Sequence, residues 1–328
     1  MRRSDSSRAV VVAMALVIAL VVILILSLTL GAAGFAPGTE EFSPLILKIR
    51  LPRVLLAFGV GGLLAVAGAY MQCLFRNALA DPYITGVSAG AGLGAVIALS
   101  MLPYSLILVN FTLPVAAFIG GLAITALLLS LMKYPENAPL KLLLLGMALG
   151  TLAASAMAFI LLRYPEKTLK GALYWLYGSL SGAGWPQVTI ALVVLAAGLA
   201  WGLSRHRTLD ALMMGPSDAH NLGVNVSTTY RALLAVAALM TSIAVAFAGI
   251  VAFVGLVVPH SIRVLTGASH GRLLILSALA GMALVGIVDL IARTAVTPGE
   301  IPLSIITSLI GAPFFIILLL QSRGRTLE

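Results

Sequence analysis

The sequence predicts an all-α polytopic membrane protein of about ten transmembrane helices, and three observations carry that reading. Hydrophobic residues make up 61% of the 328 residues and charged ones only 9%, against about 25% charged in a soluble domain. Mean hydropathy is +1.11. Apolar runs such as 9–30 reach the roughly 20 residues a helix needs to cross hydrocarbon. They are far too long for the alternating segments of about ten residues that build a transmembrane barrel. One cysteine, Cys73, lies inside an apolar run, which leaves no disulfide framework and no CxxC metal or redox site. A single transmembrane domain then fills 1–328: a first helix over 10–31, spans two to six over 53–204, a cytoplasmic loop over 205–229, and spans seven to ten over 230–321.

The ten spans fall at 10–31, 53–75, 84–103, 113–132, 140–162, 187–204, 230–250, 252–266, 273–294 and 303–321. The first follows Arg2, Arg3 and Arg8 and is longer than the 7–15 apolar residues of a cleaved signal peptide, so it reads as a retained helix. The eighth is short and holds Gly255 and Pro259. With both termini inside, thirteen Lys and Arg lie on the inner face and seven on the outer, as the positive-inside rule favours. Spans two and seven both open with Arg-x-Leu-Leu-Ala, at Arg53 and Arg231, and enter from opposite faces. That hints at an inverted repeat of spans 2–5 and 7–10. Glycines inside spans (Gly59, Gly61, Gly68, Gly90, Gly94, Gly120) let helices approach closely in lipid.

The longest polar interruption is 205–231. Its centre, 209–223, reads as one or two short helical turns broken at Gly215-Pro216. Ser217 or Asp218 would cap the second turn and Gly223 would end it. Leu209, Leu212, Met213, Met214 and Leu222 make it a partly apolar knuckle on the membrane face, of a kind that an ATP-driven partner could push on.

Polar clusters punctuate the rest. Arg50-Leu51-Pro52-Arg53 stands at the outer mouth of span two. It serves either as an interfacial anchor or as a cationic platform for a partner's carboxylates, since arginine pairs with them bidentately. At the other end of that span, Arg76, Asn77 and Asp81 can cap backbone groups and pair with one another, and Pro82 restarts the chain. The Gly-rich run 86–92 lacks the Lys-Ser/Thr and the strand of a phosphate loop, so the chain is not expected to bind ATP. His260 and His270 have no partner at metal-ligand spacing, which favours hydrogen bonding over metal or heme ligation. Asp289 and Arg293 are spaced to pair on one helix face, and Glu300 follows them in the outer loop. No Ser/His/Asp set, carboxylate dyad or metal cluster is visible, so no enzyme activity is expected. The spans hold almost no charge apart from Asp289 and Arg293, which weighs against an ion-coupled secondary transporter, the remaining alternative. The net charge of +9 is assigned to charged loops and not to nucleic-acid binding.

In this order, the clusters resemble the permease subunit of the iron-siderophore, heme and vitamin B12 family of type II ATP-binding-cassette importers. The resemblance rests on Arg50-Leu51-Pro52-Arg53, 68–72, Arg76-Asn77-Ala78-Leu79-Ala80-Asp81-Pro82, Gly86-Val87-Ser88, Met213-Met214-Gly215, Leu222-Gly223-Val224, 253–260 with Arg263, Asp289 to Arg293, Glu300-Ile301-Pro302 and Gly311-Ala312-Pro313-Phe314. It implies a homodimer in the bacterial or archaeal inner membrane, two separate ATPase subunits that carry the ATP and magnesium, and no cofactor on this chain. It also implies a periplasmic or lipid-anchored binding protein whose Glu residues dock on Arg50, Arg53 and Arg293. Leu209, Leu212, Met213, Met214, Gly215, Ser217, Asp218, Ala219, Leu222 and Gly223 then form the ATPase-coupling segment. Arg76, Asn77, Asp81, Pro82, Pro259, His260, Arg263 and Asp289 belong to structural or gating motifs. Pro216 and Ala78, where the family more often has Pro after Asn, depart from the pattern. The implied function is alternating-access import of an iron chelate (ferric siderophore or heme), with cobalamin as the alternative. Tyr70, Met71, Tyr83, Tyr174, Trp175 and Tyr177 are candidate pathway side chains.

Overall fold

The computed structural model describes residues 2–30, 46–101, 106–131, 138–164, 166–296 and 299–322. They form thirteen α-helices and no strand among the described residues. In chain order these are α1 (Arg2–Thr29), α2 (Leu51–Leu74), α3 (Val87–Met101), α4 (Leu106–Leu131), α5 (Ala138–Leu161), α6 (Glu166–Leu176), α7 (Trp185–Ser204), α8 (His206–Met214), α9 (Pro216–Asn221), α10 (Val226–Ala248), α11 (Val254–Thr266), α12 (His270–Thr294) and α13 (Leu303–Ser322). A π-helical turn, Ile46–Arg50, leads into α2, and a 3-10 turn, Pro82–Thr85, leads into α3.

Seven helical stretches are long and apolar enough to cross a membrane, and Val87–Met101, Val254–Thr266 and Leu303–Ile317 are shorter apolar helices. All ten coincide in position with the expected spans, but length alone qualifies only seven. The shortest is α11, whose 13 residues rise only about 20 Å. Phe253 begins it in the left-handed conformation (φ 65°) and Pro259 lies inside it, and both restrict how far a regular helix can extend.

The bundle is organised around α2, which packs against α12, α10, α11 and α7. Its apolar window is 89% buried, against 11% for α1 and 11% for α5. A helix apolar all round belongs inside a bundle, and α2 takes that place because glycines open it to its neighbours. Gly61 lies so close to the Gly281 carbonyl of α12, and Gly68 to that of Gly255 in α11, that a Cβ at either would collide with backbone. Tyr70 fixes the α7 side: its hydroxyl donates to the Gly198 carbonyl at 2.6 Å, and its ring meets Trp201 edge-on at 5.5 Å. The hydroxyl fills the space beside Gly202. Tyr70 and Met71 are thus fully buried core residues and not pathway side chains, which corrects that expectation.

Three segments are tied by backbone at one end of the bundle. Leu303 and Ser304 donate to Gly178 and Tyr177, Ser179 donates to Ala248, and Ile250 donates to Leu176. These bonds clamp the end of α6 between the end of α10 and the start of α13. Helix α6 was not foreseen, although Leu169, Ala172, Leu173 and Leu176 recur at helical spacing.

Candidate docking and coupling sites

Helix α2 carries a polar cluster at each end. At its start, Arg50 is buried (5% exposed) and caps the end of α1, with Nη1 donating to the carbonyls of Leu28 and Thr29 at 2.7 and 3.0 Å. Those carbonyls are among the four a helix leaves unpaired at its C-terminus. Arg53, one turn on, reaches the other way. Its Nε donates to Asp289 Oδ1 at 2.9 Å, while Nη1 and Nη2 grip both oxygens of Glu300 at 2.7 and 2.9 Å. Arg293 Nη2 donates to the Ser27 carbonyl at 2.9 Å, and its Nε lies 3.6 Å from Asp289 Oδ2. Of the three arginines expected to dock a partner, Arg53 and Arg293 meet at Asp289, Arg53 also holds Glu300 in the loop after α12, and Arg50 is bound to the end of α1 instead. The Asp289–Arg293 pairing expected from spacing is present, and Arg53 joins it. Hydrogen bonds from Arg53 hold the Glu300 carboxyl below the usual carboxylate range, with burial opposing and the arginine charge assisting. That partnership could not be read from spacing: Arg53 and Glu300 are 247 positions apart.

At the opposite end of α2, Cys73 Sγ lies 3.6 Å from the Leu209 carbonyl, which brings the segment expected to couple to an ATPase against the helix. The segment is two helices, α8 and α9, broken at Gly215. That residue adopts φ 137°, a conformation open to glycine and strained for other residues. Gly215 is also the N-cap of α9, with no side-chain cap. The expected capping by Ser217 or Asp218 is therefore corrected: Pro216 takes the first helical position, where its missing N–H costs nothing. Gly223 (φ 83°) does end α9, with Val224 N–H bonded to the Ala219 carbonyl in a Schellman pattern. Leu209, Leu212 and Ala219 are fully buried anchors, whereas Met214 and Leu222 are 66% and 65% exposed, and Ser217, Asp218 and Gly223 face outward with them.

The α8 anchor is completed by a pair the sequence reading missed. Asp210 Oδ1 accepts from the backbone N–H of His270 at 2.8 Å and lies 2.7 Å from His270 Nδ1. Burial alone would raise the Asp210 carboxyl, but the hydrogen bonds and charge of His270 outweigh it and hold it below its usual value. His270, fully buried at the start of α12, thus ties α12 to the coupling segment. His260 Nδ1 is buried without a hydrogen-bond partner among the described residues, and no group of three or more His, Cys, Asp or Glu suited to a metal exists among the described residues. Arg263, beside them, has all its guanidinium nitrogens occluded without a hydrogen-bond partner among the described residues.

Between these, Arg76, Asn77, Asp81 and Pro82 shape the turn from α2 into α3. Asn77 Oδ1 accepts from Leu79 N–H and Asp81 Oδ1 from Tyr83 N–H, at 2.9 and 2.8 Å. Arg76 adopts a left-handed backbone (φ 47°) and makes no ion pair with Asp81 among the described residues, so the expected capping is present without the expected pairing. Burial pushes the Asp81 carboxyl up to about 6 against the pull of the Tyr83 N–H. Tyr83 is held in place as well, donating to the Val251 carbonyl at 3.0 Å and accepting from its N–H at 3.1 Å.

A cavity of about 440 Å³ opens beside the arginine–carboxylate cluster, lined in part by Tyr174, Trp175, Ser179, Ser181, Gln187 and Glu300. Gln187 Oε1 is buried there without a hydrogen-bond partner among the described residues. Tyr177, 52% exposed, lies by a second cavity with Ser304 and Leu309.

A long-helix bundle with an arginine–carboxylate cluster at one end of its central helix and a two-helix knuckle at the other fits a multi-pass membrane permease. Its sequence matches the FecCD transport family over residues 9–321, and the chain belongs to that family of inner-membrane permeases of ABC importers. Among its relatives, the Halobacterium salinarum "Cobalamin import system permease protein BtuC" is 42% identical over 90% of this chain and 79% of its own length. The Yersinia pestis "Hemin transport system permease protein HmuU" is 41% identical over 84% of this chain and 83% of its own. The Escherichia coli "Fe(3+) dicitrate transport system permease protein FecD" is 42% identical over 87% of each. A solved ABC transporter structure in an inward-facing conformation, described as of metal-chelate type, superposes with a TM-score of 0.84 at 30% identity, over 94% of this chain and 98% of that one. The family implies ATPase and substrate-binding partners in general terms.

Proposed function

We propose that two copies of this chain form the membrane pathway of an importer for an iron chelate, a ferric siderophore or heme. The proposed pathway is driven by two separate ATPase subunits and fed by a substrate-binding protein that docks on Arg50, Arg53 and Arg293. The observation that carries the reading is the placement of the two clusters at opposite ends of α2, about 36 Å apart for its 24 residues. A signal received at one can reach the other through a single buried helix. In this reading Met214, Leu222, Ser217 and Asp218 meet the ATPase, and Leu209, Leu212 and the Asp210–His270 pair pass its motion to α2 and α12. The cavity by Tyr174 and Trp175 is the outer part of the ligand's route, where broad aromatic faces hold a large chelate with few directional bonds.

Cobalamin is the second reading. The Halobacterium relative named for cobalamin is as similar, at 42%, as the one named for ferric dicitrate, so similarity does not rank the cargoes. Reconstitution in proteoliposomes with the ATPase and binding protein, comparing heme, a ferric siderophore and cobalamin, separates them. Uptake of an iron chelate that requires ATP and stops with vanadate supports the first reading. Uptake of cobalamin alone supports the second, and uptake insensitive to vanadate would sink both.

A further inference from the structure

A docking role for Arg53 raises a physical problem. Its side chain is only 11% exposed, and its guanidinium is already occupied by two carboxylates. A partner's carboxylate can reach it only if one of them leaves. Asp289 cannot: its side chain is 1% exposed, it stands within α12, and both Arg53 and Arg293 hold it. Glu300 can. Its side chain is 31% exposed, and it lies in the loop between α12 and α13 and forms part of the cavity wall. The neighbouring backbone is tied down independently, Ile301 N–H donating to the Ala292 carbonyl at 2.9 Å, so the carboxylate can swing away without releasing the loop.

We infer that Glu300 is an internal stand-in for the docking partner's carboxylate: it closes Arg53 in the undocked permease and is exchanged for an incoming glutamate or aspartate when the binding protein arrives. The inference rests on the docking reading of Arg53. The exchange keeps the charge around Arg53 constant, one carboxylate for another. A buried guanidinium stripped of its counter-ion costs far more than a substituted one. The exchange also gives docking a consequence inside the permease, because a displaced Glu300 side chain comes to rest at the cavity wall, next to the route proposed for the ligand.

The test measures the affinity of the binding protein that supports uptake for the permease–ATPase complex in nanodiscs. Glu300→Gln removes the internal competitor and is expected to tighten binding about tenfold. Arg53→Gln weakens it by a similar factor, and the double variant matches Arg53→Gln alone, since without Arg53 there is nothing to compete for. Unchanged or weaker binding by Glu300→Gln, with a wild-type unfolding midpoint, overturns the inference. Should that variant fold poorly, Glu300→Asp keeps the charge with a shorter reach and is expected to give a smaller tightening, and no tightening counts equally against the inference. An Arg53→Gln variant that binds normally overturns the docking reading instead, so the two failures are told apart.

Discussion

The coupling knuckle divides into residues that hold it and residues it offers, and the two should fail differently. Met214 and Leu222 are 66% and 65% exposed, while Leu209 and Leu212 are 0% exposed. Fully burying a Met or Leu side chain is worth about 1.5–3 kcal/mol. Covering the exposed two-thirds of each under an ATPase subunit is then worth roughly 1–2 kcal/mol, or about 2–4 kcal/mol for the pair. At about 1.4 kcal/mol per tenfold, the double substitution Met214→Ser/Leu222→Ser should weaken ATPase association some 30- to 700-fold without adding a charge. Titration of the ATPase subunit onto nanodisc-held permease reads that affinity directly, and the unfolding midpoint of the permease alone should not move. Leu212→Ala is the mirror case. It removes a buried side chain at a cost of about 2–5 kcal/mol, lowering the midpoint, with any loss of association following from it. If the double serine variant binds the ATPase as tightly as wild type, this apolar pair is not the coupling surface and the division drawn here is wrong.

Three further outcomes follow from the same geometry. Asp210→Asn should slow uptake more than it weakens ATPase binding, because it loosens the tie to His270 while leaving the exposed face intact. The carboxyl held low in the fold contributes stability above the ordinary carboxylate range, lost as pH falls through its lowered value, so the wild-type tie should survive at pH 5 in a hydrogen-exchange measurement of 206–214. Asp81 has the opposite sign. Its folded-state value near 6 lies above the usual ~3.9 of an unfolded chain, so its contribution is present below ~3.9 and lost as pH rises through 6. Wild type should therefore gain stability relative to Asp81→Asn between pH 7 and 5, read as the difference in unfolding midpoints, and a flat difference would refute the assignment. Gly61→Ala should destabilise the bundle by about 1–3 kcal/mol through overpacking. The Gly281 carbonyl stands in the way of the new methyl, whereas Gly171 has open space around it, so Gly171→Ala should be neutral in the same assay.

Much of this molecule was legible because lipid simplifies the pattern. An uninterrupted apolar run has few fates, and the break at Gly215-Pro216 and the end at Gly223 followed from backbone chemistry that only particular residues permit. The details missed belong to a different kind of information. Ser217 looked like a cap by composition, but the turn was set by the conformation of Gly215 and the ring of Pro216. Tyr70 looked like a pathway aromatic, yet its place was decided by the carbonyl of Gly198, 128 positions away, and by the absence of a side chain at Gly202. Arg53 was singled out for its charge, and what it does in the undocked chain depends on Glu300, which no local spacing connects to it. The charges were the harder part to read, because the pairs that form, Arg53 with Asp289 and Glu300 and Asp210 with His270, are made through the fold. A buried arginine near a membrane surface is costly unless it is paired, and Arg50 finds backbone carbonyls where Arg53 finds carboxylates. Which carboxylate pairs with it is a matter of how α2 meets α12, and the mobility of that carboxylate decides whether the same arginine can serve a partner.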